Sequence, residues 1–455
     1  MISKSSENPL ATRPIGMLIL KFAIPATISF LVNALYNIID QIFIGQGVGL
    51  YGNAATNVVF PLTTIATAIA LLLGIGSASN FNLKIGAGKH EQAGYIVGNG
   101  LFFMVLFGVI LATIVLIFLN PLLNLFGATE NVFELAQVYT SITAFGIPLS
   151  IFATASCQLI RADGSPVFSM ICLMSGAVLN TVLDPIFIFV FKMGMAGAAW
   201  ATVLGQFVSA VIACCYFLHF KTVKLGRYHF KPSSSYLKMI ASLGVAACFN
   251  QLAMTVVQIV MNNTLTYYGT LSEYGKDIPL ACVGVISKVN IVYLAFSLGI
   301  AQGCQPINGF NYGAKNYHRV RKTYFTAAAV ITVISMVFGL AFQIFPRQIV
   351  AIFGGGSELY FQFAQRYFRI FMLMTFVNGI QPLTANFFTS IGKAKRGVMM
   401  SLTRQILFLL PLIIIFPIFF GIDGVMYAGP IADGVAFILA CLFIWKEMKQ
   451  MSTLS

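Results

Sequence analysis

The chain has 455 residues, of which 58% are hydrophobic and only 9% are charged, and its formal net charge is +14. A soluble domain carries roughly 25% charged residues, so this composition excludes a protein whose surface meets water throughout. The eight cysteines form no C-x-x-C pair, so the sequence favours neither a cysteine-bound zinc ion nor a disulfide framework.

Twelve apolar runs follow one another along the chain, and each can cross the bilayer as a helix, which takes about 20 residues. Such a helix satisfies its own backbone polar groups, and the runs are too long for the strands of a transmembrane β-barrel. The sequence therefore predicts an all-α membrane protein with twelve transmembrane helices. The predicted spans, numbered 1 to 12, are 17–45, 54–82, 94–119, 132–158, 167–191, 196–220, 236–268, 278–306, 319–345, 360–389, 398–420 and 424–446.

Most Lys and Arg residues fall in the loops on one side of these spans. By the positive-inside rule, this asymmetry predicts that both termini lie in the cytoplasm. The charges would meet the anionic inner leaflet, so we expect the lipid bilayer, and no nucleic acid, as the partner of the basic surface. The basic side is predicted to receive Lys4, Arg13, Lys21, Lys84, Lys89, Arg161, the cluster within 221–238, Lys315, Arg319, Arg321, Lys322, Lys393, Lys395, Arg396, Arg404, Lys446 and Lys449, whereas the opposite loops hold Lys192, Lys276 and Arg347.

The two halves of the chain resemble each other at an offset of about 227 residues, as between Gly76 and Gly303. Six spans is an even number, so the repeat is parallel, and a pseudo-two-fold axis along the membrane normal relates its halves. The sequence thus predicts two six-helix bundles around a central cleft, an amino-terminal lobe over 1–225 and a carboxyl-terminal lobe over 226–455. Rocking of the lobes would give alternating access. Further matches are Gly86 with Gly313, Gly194 with Gly421 and, with one residue of slippage, Tyr139 with Tyr367.

Four stretches carry a resemblance to a known family. They are 161–166 (RADGSP), 179–185 (LNTVLDP), 299–314 (GIAQGCQPINGFNYGA) and 391–393 (IGK), the last followed by Arg404-Gln405. On these stretches the chain resembles the multidrug and toxic compound extrusion (MATE) family, in particular its bacterial branch near MepA and the DNA-damage-inducible exporters. The resemblance implies a multi-pass exporter of a bacterial cytoplasmic membrane that uses an inward Na⁺ or H⁺ gradient to expel cationic, often aromatic drugs.

Two of the three acids predicted inside spans lie in the first half. Asp40 is in span 1, Asp184 is in span 5 with Asn180 one turn away, and Thr202 is near the start of span 6. An ionisable group inside a bilayer costs at least about 2.5–3.5 kcal/mol, so it is a candidate functional residue by default. These oxygens suit a hard cation, and the carboxylates can equally carry a proton, so the coupling ion stays open between Na⁺ and H⁺. The alternative is that the four groups only hydrogen-bond to one another and lock the bundle.

Other residues of the first half are predicted to support this site, and the resemblance implies that the family's amino-lobe cation site falls on the four residues named above. Asn33 and Asn37 precede the span 1 acid by seven and three residues, so they share its helix face, with Tyr36 at the edge. Pro25 and Pro185 each remove a backbone hydrogen bond, so they are candidate positions of helix bending. Proline also occurs in membrane helices without such a role.

The second half offers amides where some members of the family have acids that form a second cation site. Gln251 and Gln258 lie in span 7. Asp433 in span 12 is expected to be either a structural partner or a substrate contact, and Lys288 in span 8 either its counter-charge or a side chain that extends towards an interface. Candidate cleft residues, which suit flat hydrophobic cations through cation–π contact and adaptable Met packing, are Met254, Met261 and Tyr293.

Motifs of phosphate loops, zinc proteases and serine hydrolases do not occur, so we expect neither an enzyme nor an ATP-driven pump. The expected driving force is an ion gradient, with no cofactor beyond the coupling Na⁺ or H⁺, and we expect a monomer. One alternative is a flippase for lipid-linked oligosaccharides of the same superfamily, which needs a basic cleft for pyrophosphate; here only Lys288 is a candidate. Another is a receptor or scaffold, which would need neither paired acids nor a duplicated bundle.

Overall fold

The structure, a computed structural model, describes residues 8–275, 277–353 and 357–453. Lys4 and Lys276 of the predicted charge pattern lie outside these residues. Within the described part, eleven helices are long and apolar enough to cross a membrane, and the broken span 10 supplies the twelfth crossing. The prediction of an all-α membrane protein with two six-helix bundles is confirmed.

The observed spans begin and end within a few residues of the predicted ones, except that several extend further at the basic side. A short helix at Pro9–Thr12 precedes the first span, and short helices at Leu119–Leu125, Arg227–Phe230 and Pro346–Ala351 lie between later ones. The spans are Ile15–Gly47, Leu50–Gly86, His90–Ile117, Glu130–Ala162, Pro166–Pro185 continued by Ile186–Val190, Gly194–Phe217, Ser234–Thr270, Asp277–Gly313, Tyr317–Ile344, then span 10 as Glu358–Phe371, Thr375–Asn378 and Ile380–Ser390, span 11 as Ala394–Leu402, Thr403–Leu409 and Leu410–Phe420, and span 12 as Ile422–Ser452.

Span 10 is interrupted near its middle, whereas the sequence predicts one continuous helix. The chain turns after Phe371 and again at Gly379. A Cβ atom at Gly379 would lie 2.3 Å from Cγ2 of Ile331, so glycine lets span 10 approach span 9 closely. The hydroxyl group of Tyr293 donates a hydrogen bond to the carbonyl oxygen of Thr375 at 3.3 Å. Side chains of neighbouring spans thus satisfy backbone groups at the break, which is how irregular backbone is tolerated at membrane depth.

Spans 5 and 11 each contain a π-helical stretch. In span 5 it covers Ile186–Val190, directly after Pro185, whose ring cannot donate the backbone hydrogen bond of a regular helix. In span 11 it covers Thr403–Leu409 and includes Arg404. Span 1, by contrast, continues as a helix through Pro25. Stretches of π-helix inside α-helices occur frequently at functional sites, and both stretches adjoin in-membrane acids described below.

The two lobes contact each other closely at one end, which we call the basic end because Lys84, in the last turn of span 2, and the loop residues Lys221 and Lys315 lie there. There a Cβ atom at Gly244 in span 7 would lie 1.7 Å from the carbonyl oxygen of Leu72 in span 2. Towards the opposite end a Cβ atom at Gly284 in span 8 would meet no atom within 4 Å. The backbones of the two lobes therefore approach closely on the basic side, whereas Gly284 lies on an exposed surface of span 8.

Candidate cation site

Spans 5 and 6 bring three of the predicted site residues together. Asn180 and Asp184 lie one helical turn apart, which places both on the same face of span 5. The amide nitrogen of Asn180 donates to Oδ1 of Asp184 at 3.4 Å and to Oγ1 of Thr202 at 3.2 Å. Asn180 is 2% exposed and Asp184 is fully buried. The amide of Asn180 therefore links a carboxylate of span 5 to a hydroxyl of span 6.

Asp40 of span 1 joins this group, as the sequence predicts. Its side chain is buried and lies within hydrogen-bonding range of the Asp184 carboxyl group. Two carboxyl groups at this range repel each other unless a proton or a cation lies between them. No donor from the described residues reaches Oδ1 of Asp40, Oδ2 of Asp184 or Oδ1 of Asn180. Three buried oxygen atoms in one cluster thus have an unfilled capacity to accept a proton or bind a cation.

Two tyrosines complete the site. Tyr36, which the sequence places at its edge, and Tyr139 of span 4 both interact with the hydroxyl of Thr202 and lie within electrostatic range of Asp40. Tyr139 is missing from the predicted site, because nothing in the spacing along the chain brings span 4 to span 1. One signal was available: Tyr139 matches Tyr367 in the internal repeat, and both side chains are buried.

Several other predicted residues lie outside this cluster. Asn33 and Asn37 are exposed and hydrogen-bond to each other, from the Asn37 amide to the Asn33 carbonyl oxygen at 2.7 Å. In span 7 the residues Gln251, Met254 and Gln258 are half-buried. The amide of Gln258 donates to its neighbour Asn262 on the same helix at 2.9 Å.

One expectation for the second half is wrong, and one pair of alternatives is decided. Tyr293 is not a cleft residue in this structure: it is fully buried, and its hydroxyl lies 2.9 Å from the Ser335 hydroxyl, because it packs against the break in span 10. Asp433 pairs with Arg404, so of the two alternatives for Lys288 the counter-charge is wrong, and its exposed side chain fits the other. Both Arg404 and Asp433 therefore lie inside spans, although the charge pattern along the chain counts Arg404 with the basic side.

The comparisons with known proteins agree with this architecture. The MatE family profile matches residues 25–186 and 246–415, which together make up most of the chain. Proteins named multidrug export protein MepA are similar to the chain along nearly its whole length. One, from Staphylococcus haemolyticus strain JCSC1435, is 23% identical over 432 residues, which cover 95% of this chain and 93% of the relative. Another, from Staphylococcus aureus strain MSSA476, is 23% identical over 433 residues, covering 95% and 94%.

Solved structures share the fold. A multidrug resistance MATE family transporter in an outward-facing conformation superposes with a TM-score of 0.91 at 23% identity, with full coverage of both chains. A MATE protein in a straight conformation gives a TM-score of 0.90 at 24% identity, again over both chains entirely. Twelve spans in two lobes and a profile match over both halves lead to one conclusion: this chain belongs to the MatE family of membrane transporters and is not an enzyme.

Proposed function

We propose that this protein is a secondary active exporter that couples the efflux of hydrophobic, cationic small molecules to the inward movement of Na⁺ or H⁺. The observation that carries the coupling is the cluster of buried oxygens without donors on Asp40, Asn180 and Asp184. Burying an ionised carboxylate without a partner is costly, so the site favours a bound cation or proton. The choice of substrate is supported by the relatives, whose name is multidrug export protein.

Alternating access follows from the two lobes. The close approach of the lobes on the basic side fits one state of the cycle, in which the cleft opens away from the basic end. We place the basic end and both termini in the cytoplasm of a bacterial cell, in line with the positive-inside rule. The protein then faces outward in this state and functions as a monomer, with each lobe of 1–225 and 226–455 moving as a body.

The coupling is tested by removing one carboxylate charge. In a bacterial host without its own efflux pumps, we expect Asp184→Asn to lower gradient-driven ethidium efflux at least about tenfold, because an amide neither carries the proton nor neutralises the cation. The matched control is Asp423→Asn. It makes the same chemical change in an acid of the carboxyl-terminal lobe that already pairs with Arg366. It should leave efflux close to wild type.

The coupling ion is identified in membrane vesicles. Replacing Na⁺ with K⁺ abolishes transport if Na⁺ is coupled, and a protonophore abolishes it in Na⁺-free buffer if H⁺ is coupled. If both Asp40→Asn and Asp184→Asn are expressed normally and still transport at the wild-type rate, the proposal is wrong.

A further inference from the structure

The carboxyl-terminal lobe contains a buried ion pair at membrane depth that the proposed coupling does not use. Nε of Arg404 in span 11 donates to Oδ1 of Asp433 in span 12, and the amide of Asn378 in span 10 donates to Oδ2 at 3.3 Å. Arg404 lies ten residues after the start of span 11 at Ala394, or roughly 15 Å along the helix. Charges at this depth are expensive and mark functional sites by default.

The free hydrogen-bonding capacity of this cluster consists of donors. Both oxygens of Asp433 are occupied, and its side chain is only 4% exposed, against 15% for Arg404. Within the described part of the chain, the guanidinium group bonds only through Nε, so Nη1 and Nη2 have no protein acceptor. These two groups form a planar fork that matches a carboxylate. A ligand at this point must therefore supply acceptor atoms.

The surroundings of the pair come from several spans of the carboxyl-terminal lobe. Asn378 is at the break in span 10, and a Cβ atom on the next residue, Gly379, would lie 3.1 Å from the hydroxyl oxygen of Ser297 in span 8. That oxygen is buried and has no hydrogen-bond partner among the described residues. Spans 8, 10 and 12 thus contribute the groups around the pair, and Tyr293 of span 8 lies within electrostatic range of both charges.

We propose that Arg404 binds the carboxylate of amphoteric substrates, with Asp433 and Asn378 as the positioning residues that fix its guanidinium group. The two lobes then differ in polarity. In the amino-terminal site the unpartnered atoms are oxygen acceptors. In the carboxyl-terminal cluster the unpartnered atoms are the Nη donors of Arg404. A molecule that carries one cationic and one anionic group would be oriented across the cleft. The assignment rests on the proposed export function, because it names a substrate class for the same cleft.

The test uses two dyes that differ in one group. Rhodamine 110 carries a free carboxylate, and rhodamine 123 is its methyl ester. We expect the purified wild type to bind the acid more tightly than the ester, measured by fluorescence polarisation in detergent. We expect Arg404→Lys to lose this preference, by about tenfold, because lysine keeps the charge and the ion pair but not the fork. Ester binding should stay unchanged in the same variant.

Two further variants keep the test decisive. Arg404→Gln combined with Asp433→Asn removes both charges together, so no buried charge is left unpaired, and it should also lose the preference. Lys288→Gln, which removes an exposed cation of the same lobe, should retain it. The proposal is overturned if the wild type binds both dyes equally, or if the preference persists in Arg404→Lys and in the double variant. Dye binding in detergent needs no ion gradient, so this result is independent of the Asp184→Asn efflux test.

Discussion

At the scale of single residues, buried acids have different roles according to the donors around them. Asp163, at the basic end of span 4, accepts from the Tyr216 hydroxyl at 2.7 Å and from the backbone N–H groups of Lys221 and Thr222 at 2.8 Å and 2.9 Å. Its two oxygens are satisfied, whereas Asp40 retains an oxygen without a donor. Asp163 is therefore a structural residue, and the sequence separates it from Asp40 only by its position between predicted spans 4 and 5.

This structural role of Asp163 predicts a loss of stability. Asp163→Ala removes the acceptor of one buried and two part-buried donors, and each buried donor left unsatisfied costs about 1–3 kcal/mol. We expect the Tm of the purified protein to fall by several degrees, measured by thermal unfolding in detergent. Asp163→Asn keeps one acceptor oxygen and should lose less. Equal Tm values for wild type and Asp163→Ala would show that the chain after span 6 is held by other contacts.

At the scale of helices, side chains that cross between the lobes hold the basic end closed. Nη1 of Arg161 in span 4 donates to Oε1 of Gln302 in span 8 at 2.9 Å, and the amide of Gln158 donates to the same oxygen at 3.2 Å. Arg161 is 3% exposed, and its acceptors among the described residues are neutral glutamine oxygens. A buried guanidinium group with neutral acceptors is held more weakly than one with a carboxylate, so this contact suits a gate that must open.

We expect Gln302→Glu to strengthen this contact between the lobes and so to slow its opening. The new carboxylate would pair with Arg161, and a charged hydrogen bond of about 1.5–3 kcal/mol slows opening roughly tenfold to a hundredfold. We expect slower ethidium efflux together with an unchanged or higher Tm. Gln305→Glu is the matched control, because Gln305 also crosses between the lobes but bonds to the Ser79 hydroxyl at 2.7 Å and the backbone of span 2. The Gln305→Glu control should lower the Tm. Efflux at the wild-type rate in Gln302→Glu would contradict the proposed role of the Arg161–Gln302 contact as a gate.

The sequence predicts the spans and part of the candidate site, but not the contacts between distant spans. Apolar length fixes the spans, because each must cross the hydrocarbon core, and helical spacing alone places Asn180 beside Asp184. Contacts between spans distant in sequence are not encoded in such spacing, so Tyr139 and the Arg404 pair were missed. The break in span 10 also escapes a hydropathy window, since its residues are as apolar as those of a continuous helix and only close packing at Gly379 explains it.

At the scale of the whole molecule, polar contacts within each lobe connect its helices at the basic end. Glycines allow the two lobes to approach each other there. In the first lobe Asp163 binds the chain after span 6; in the second, Glu447 of span 12 pairs with Lys393 at 2.5 Å and with Arg396. Glu447 is 1% exposed. These contacts lie where the lobes would separate in an alternating-access cycle. They stabilise each lobe internally, so each lobe can move as a unit while the contact between the lobes opens and closes.

The close approach of the lobes predicts that Gly244→Ala blocks closure of the basic end. The added Cβ would lie 1.7 Å from the carbonyl oxygen of Leu72, a backbone atom that cannot move aside as a flexible side chain can. Overpacking of this kind costs about 1–3 kcal/mol, enough to shift the balance between states about tenfold or more. The clash falls between lobes and not inside one, so each lobe should still fold while efflux drops by about the same factor.

The open basic end is detected by chemical labelling. Asn80→Cys places a thiol at a buried position whose amide donates to the Met239 carbonyl oxygen across the lobes at 2.9 Å. In a background where the exposed cysteines Cys214, Cys215 and Cys441 are replaced by serine, we expect Gly244→Ala to speed its reaction with a maleimide added from the basic side. Gly284→Ala is the control, because a Cβ atom there meets no atom within 4 Å, so labelling and efflux should match wild type. If Gly244→Ala also matches wild type in both measurements, closure at this glycine is not part of the transport cycle.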